Sequence, residues 1–219
     1  MVKVCFLILL ALLPVTTMAQ TFTGPVRVID GDTLDVGGTR VRLHGIDAPE
    51  QGQTCTNADG VRWGCGAWVT ERLRARIGGR EASCVRVATD RYDRTVATCA
   101  VGGEDIGRML VADGHALAYR KYSMAYDLDE KRAVIAGRGL HAHRFTRPVA
   151  YRRAARAART AAPDPACAIK GNISRSGIRI YHLPGQAYYD RTVISTGKGE
   201  RWFCSQAQAR AAGWRRARR

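Results

Sequence analysis

Two runs of alternating residues, 83–89 and 94–99, flank the tetrad Asp90-Arg91-Tyr92-Asp93, and each carries a cysteine at the end away from it. Period-two alternation with β-branched residues reads as a strand on each side of an Asp-bearing turn. Folding this hairpin on a four-residue loop sets position 89 opposite 94 and therefore Cys84 opposite Cys99. Cysteines facing each other across a non-hydrogen-bonded pair are within reach of a disulfide. One segment thus proposes a register, a pairing and a covalent closure, the last contributing on the order of 3 kcal/mol on the chain-entropy account.

Further short runs, 26–29, 33–36 and 39–46, lie between glycine-bearing turns and extend the hairpin to a small twisted sheet or barrel. Residues 64–77 read as a helix, with Ala67, Leu73 and Ile77 among its apolar positions and Gly78-Gly79 as its stop. Two more helices follow, over 105–112 before Asp113-Gly114 and over 127–136 before Gly137. Strands first and helices later mean α+β. From 144 to 165 the chain carries six arginines, three prolines and no acid before Asp164, a basic linker whose 151–162 part has helical composition. Residues 166–219 form a small α+β unit with a strand over 177–182, a Pro184-Gly185 turn, and a helix opened by a capping box at Ser205 and Gln208 and stopped at Gly213.

The first 19 residues have the pattern of a secretory signal: Lys3, an apolar run over 4–15, and Thr17-Met18-Ala19 ahead of a cut after Ala19. About twelve apolar residues fall short of the roughly twenty that span a bilayer, so no integral membrane association is expected. The chain is expected to be secreted or periplasmic and a monomer, with residues 20–143 as its main domain. Without the leader it keeps 34 basic and 19 acidic residues, a formal +15. Such a field attracts polyanions, whether nucleic acid, acidic polysaccharide or an anionic envelope surface. Cys5 leaves with the leader, and the remaining Cys55, Cys65, Cys84, Cys99, Cys167 and Cys204 are an even set suited to three disulfides, neighbours paired in turn. Six cysteines admit fifteen connectivities, and only 84 with 99 has its own argument. The ligand spacings of zinc sites are missing from the sequence.

The residues with chemistry come in three groups. Asp30-Gly31-Asp32-Thr33 sits at a turn between strands, Arg42 to Glu50 reads R-L-H-G-I-D-A-P-E at the end of a strand, and Arg94 follows the hairpin turn. If the first two groups share one end of a barrel, three carboxylates and an arginine meet. A hard divalent cation takes carboxylate, carbonyl and water oxygens, and two aspartates with a backbone carbonyl suit it. Fixed guanidinium groups stabilise the charge that builds on a phosphoryl group during hydrolysis, and the planar fork of arginine holds two phosphate oxygens. None of the five histidines (44, 115, 141, 143, 182) is a motif residue, and core, turn or surface roles suit each.

In this order, DGDT, R-L-x-G-I-D-A-P-E and D-R-Y-D-R resemble the staphylococcal-nuclease-like (thermonuclease) family over residues 25–140. The resemblance implies a five-stranded OB-type β-barrel with three helices, beside the small disulfide-linked C-terminal α+β module, and a Ca2+-dependent phosphodiesterase acting on DNA and/or RNA. It assigns Asp32, Asp47 and the carbonyl of Ala48 to Ca2+, Glu50 to the attacking water, Arg42 and Arg94 to the scissile phosphate, and Tyr92 and Tyr119 to nucleotide contact. Two positions depart from the family: Asp93 stands where glycine is frequent, and His141 where tryptophan is. The C-terminal unit resembles the small accessory module called the sunset domain. A catalytically idle envelope protein that binds nucleic acid or acidic polysaccharide is the alternative.

Overall fold

The computed structural model describes residues 20–218, without the side chain of Arg159, so the expected leader lies outside it. The chain divides into two compact units, Met1–Arg144 and Phe145–Arg219.

In the first unit, β1 (Thr21–Val28), β2 (Thr33–Val36), β3 (Thr39–Leu43), β4 (Glu81–Thr89) and β5 (Thr95–Val101) form a closed ring. The pairs β1–β2, β2–β3, β1–β4 and β4–β5 are antiparallel. The ring closes through a parallel seam between β3 and β5, with Val41 opposite Thr95, Arg42 opposite Val96 and Leu43 opposite Ala97. This is the expected five-stranded OB-type barrel. Alternation puts Val26, Val28, Leu34, Val36, Val41, Leu43, Ala97 and Val101 inside, all buried. Three helices join it: α1 (Cys65–Ile77), α2 (Ile106–Ala112) and α3 (Asp127–Ile135). Helix α1 buries Val69, Leu73 and Ile77, one face at helical spacing. The side chain of Asp105 caps α2 by accepting the Arg108 N–H.

Two local expectations change. The run 39–46 is not one strand. It stops at Leu43 because Gly45 takes φ 75°, and Ile46–Asp47 then pairs with Leu117–Ala118. The hairpin turn is also one residue longer than expected, since Thr89 faces Thr95 and Ala88 faces Val96. Asp93 has φ 61°, the left-handed conformation that ends a short hairpin loop. A bulge between Arg86 and Ala88 absorbs the extra residue, so Cys84 still faces Cys99. The physical reason is compensation: one residue added to the turn is matched by one added to β4.

The second unit begins with the arginine-rich segment, which forms α4 (Pro148–Thr160) with its proline in the first turn. Its sheet contains β6 (Ile169–Ile173), β7 (Arg179–His182), β8 (Arg201–Phe203) and β9 (Arg215–Arg216) in the order β8-β6-β7-β9. Helix α5 (Gln206–Ala211) starts as the sequence implies, with Ser205 accepting the Gln208 N–H, although the Gln208 side chain accepts from Cys204. Ile169, Tyr181, Phe203, Ala209 and Trp214 form the core, so Trp214 is a packing residue. Disulfides join Cys55 to Cys65, Cys84 to Cys99 and Cys167 to Cys204. Three disulfides are those of a chain that folds outside a reducing cytoplasm. No helix among the described residues is long and apolar enough to cross a membrane.

Candidate active site

The turn between β1 and β2 is built by its own side chain. Asp30 Oδ1 accepts the Asp32 N–H at 3.0 Å, and the Ile29 and Asp30 amides both donate to the Thr33 carbonyl. Gly31 lets this turn approach the segment after Asp47. A Cβ there would stand 2.8 Å from the Ala48 Cβ and 2.9 Å from Val69 Cγ1 of α1. The approach brings Asp32 Oδ2 to 3.4 Å from the Ala48 N–H, and the Asp32 carbonyl accepts from Leu43. DGDT and DAPE therefore meet, as the sequence suggests.

Between them stands Arg42. Its Nη2 lies 2.9 Å from Asp32 Oδ2 and 3.6 Å from Asp47 Oδ1, while both aspartates are buried, 5% and 4% exposed. Burial pushes the Asp32 carboxyl up to about 6, with Asp30 and Asp47 adding to the rise and Arg42 opposing it. At Asp32, burial and the neighbouring acids thus outweigh Arg42. Among the described residues, no three His, Cys, Asp or Glu side chains stand as a metal-holding group. The side chains here that could hold a cation are those of Asp32 and Asp47. The Ala48 carbonyl and water would supply the other oxygens, a mixture that hard cations accept.

Glu50 is positioned by its backbone. Its N–H donates to Gln53 Oε1, its carbonyl accepts the Gln53 N–H at 2.8 Å, and Gln53 is fully buried. Helix α1 presses on the same loop through Gly66, where a Cβ would lie 1.7 Å from the Glu50 carbonyl oxygen. The Cys55–Cys65 bond ties the far end of the loop to the helix start.

Across the seam, Val96 is the partner of Arg42, and Arg94 stands two residues before it, just ahead of β5. Arg94 is held by a residue that the sequence reading passed over. Asp90 Oδ2 accepts from Arg94 Nε at 2.8 Å and pairs with Nη2 at 2.7 Å, while Oδ1 accepts the Tyr92 and Arg94 amides. Burial alone would raise the Asp90 carboxyl, but these donors hold it below the usual carboxylate range. The spacing D-x-x-x-R across a tight turn was the available signal. Asp93, the departure noticed in the sequence, carries the turn geometry, and Asp90 orders the arginine.

Tyr92 is 67% exposed, with the guanidinium groups of Arg91 and Arg94 5.1 and 5.5 Å from its ring centre. Tyr119 donates its N–H to the Gly45 carbonyl and packs edge-on against Tyr122. His115 and His143 pack against Trp68 and Trp63, and His182 shares a hydrogen bond with Asn172, so these three have structural surroundings.

Residues 40–140 match the family described as staphylococcal nuclease homologue. The chain is also similar to several curated proteins, three of which follow. The succinoglycan biosynthesis protein ExoI of Rhizobium meliloti is 38% identical over 101 residues, 45% of this chain and 53% of that protein. An uncharacterized endonuclease of Escherichia coli O157:H7 is 31% identical over 103 residues, 45% and 61% of the two chains. The micrococcal nuclease of Shigella flexneri is 34% identical over 115 residues, 47% and 60%. The alignments thus span between half and two thirds of each relative. Residues 148–216 match a different family, ArfC, and not the sunset module expected from their motifs.

Proposed function

We propose that the barrel is a Ca2+-dependent phosphodiesterase of an exported protein, hydrolysing DNA and/or RNA. The observation that carries this reading is the buried Asp32–Arg42–Asp47 group, in which burial keeps the Asp32 carboxyl raised beside Arg42 and both acidic side chains offer carboxylate oxygens. Those residues fit a hard divalent cation, which when bound would supply positive charge to the phosphoryl oxygens as charge builds there. Asp32, Asp47 and the Ala48 carbonyl would hold it. Arg42 and Arg94, near the seam, would bind the phosphate, and Asp90 would orient Arg94. Glu50, fixed by Gln53 and α1, would accept the proton of the attacking water.

The matches to a nuclease family and to relatives named as nucleases support hydrolysis of nucleic acid. The name of ExoI favours a second reading, a barrel that binds acidic polysaccharide without cutting nucleic acid. One experiment separates them: incubate the chain with single-stranded DNA and RNA in Ca2+ or in excess chelator. Fragments that form in Ca2+ and not in chelator support the proposal. Intact strands under both conditions move the reading to polysaccharide, and undiminished cutting in chelator removes the cation.

A further inference from the structure

The chain's charge is not spread evenly. Residues 145–219 hold 16 basic and 3 acidic residues, which makes them the source of +13 of the formal +16, while residues 1–144 hold 19 and 16. Two of the three acids of the second unit are committed. Glu200, buried, accepts the Ile173 and Ser195 amides, and Asp164 caps a short turn by accepting the Ala166 N–H.

Part of this charge surrounds a hollow of about 470 Å3, within the size range of small-ligand sites. Arg215, Arg216 and Arg218 line it together with Ile180, His182 and Tyr188, and no carboxylate does. Among the described residues none of the three arginines makes an ion pair or a side-chain hydrogen bond. The hollow is held by backbone: β9 pairs with β7, the Ala217 N–H donates to the Tyr181 carbonyl, and Gln186 Nε2 donates to the Ala217 carbonyl. Tyr188 keeps 48% of its surface exposed.

Three unpaired guanidinium groups beside an exposed phenol ring are the elements of a single-strand site, in which arginines take phosphates and an aromatic face stacks a base. We infer that this hollow binds a segment of single-stranded nucleic acid without cleaving it. The hollow lies wholly within the second unit, and binding there does not depend on the chemistry assigned to the barrel.

The test uses the full chain in excess chelator with a fluorescent twelve-nucleotide single strand, its integrity checked on a gel. Two charge-matched triple variants are compared: Arg215→Ala/Arg216→Ala/Arg218→Ala, and Arg175→Ala/Lys198→Ala/Arg210→Ala, whose residues do not line the hollow. Thermal unfolding checks that both fold. Loss of the hollow arginines is expected to weaken binding at least tenfold and to lower the salt slope by about 2, at roughly 0.7 per lost phosphate contact. The control is expected to change affinity less than threefold. Tyr188→Ala should weaken binding about fivefold or more, with Tyr188→Phe near the parent. Equal losses in both triple variants would overturn the site in favour of a diffuse field. Stronger competition by a polyuronate than by an unlabelled oligonucleotide of equal charge would overturn the choice of nucleic acid.

Discussion

Replacing Asp32 by asparagine separates what the site does for folding from what it does for chemistry. In the folded chain this carboxyl titrates at about 6, against 3.8 for an ordinary aspartate. Between those values the folded state holds a proton that the unfolded state has released, so stability falls as pH rises through the window, and the loss is complete above it. The gap corresponds to about 3 kcal/mol. Asparagine is neutral throughout, and its Oδ1 can still accept from Ala48 or Thr33. In chelator near pH 7.5, Asp32→Asn is therefore expected to be up to about 3 kcal/mol more stable than the parent, or about 6–12 °C in the barrel's transition. The advantage should vanish near pH 4. Added Ca2+ should raise the melting temperature of the parent and not of the variant, and strand cleavage should be lost. Thermal unfolding followed by circular dichroism at three pH values reads all of this. A variant no more stable than the parent near pH 7.5 would refute the account of an Asp32 carboxyl raised by burial and neighbouring acids.

Arg94→Ala is expected to slow cleavage at least about a hundredfold, the scale for losing one transition-state donor; Asp90→Asn, which spares Arg94 but frees it, should slow it roughly tenfold, and a rate within threefold of the parent would mean that Asp90 does not orient the arginine. Gly66→Ala should cost at least about 2 kcal/mol, read by denaturant unfolding, because its new methyl group meets the Glu50 carbonyl oxygen. Asp93→Gly should leave stability within about 1 kcal/mol, whereas Asp93→Val should lose about 1–2 kcal/mol at a left-handed position. Alkylation before reduction should label none of the six cysteines of the described chain.

The sequence displays the barrel because its strands alternate and its turns carry glycine, both local properties of the chain. Helix starts and stops were legible for the same reason: Asp105 caps α2, and Gly78 follows α1. Asp32, Arg42 and Asp47 could be placed near each other by motif order, although their contacts depend on Gly31 letting one turn approach another. What was not legible needed three dimensions. The bulge in β4 has no residue signature among valines and an arginine, and only Cys84 facing Cys99 reveals that the register returns. Gly45 ends the strand after Leu43, but what Ile46–Asp47 then pairs with depends on Leu117–Ala118 arriving some seventy residues later. Asp90 was hidden by its neighbour, since Asp93 stood out in composition while Asp90 makes the bond.

The seam between β3 and β5 also sets when, during folding, the proposed site can exist. Hairpin contacts between β1 and β2, β2 and β3, or β4 and β5 form between near neighbours in the chain, whereas Val41 must find Thr95 across more than fifty intervening residues. Closing such a loop is slow, and contacts of this range tend to be made late and dominate the rate. Arg42 and Arg94 come to the same seam only after that closure, so a chain with all its hairpins formed still lacks the proposed phosphate grip. The reverse holds during unfolding: opening the seam should abolish cleavage before the strands lose their dichroism, and denaturant titrations should show activity falling at the lower concentration.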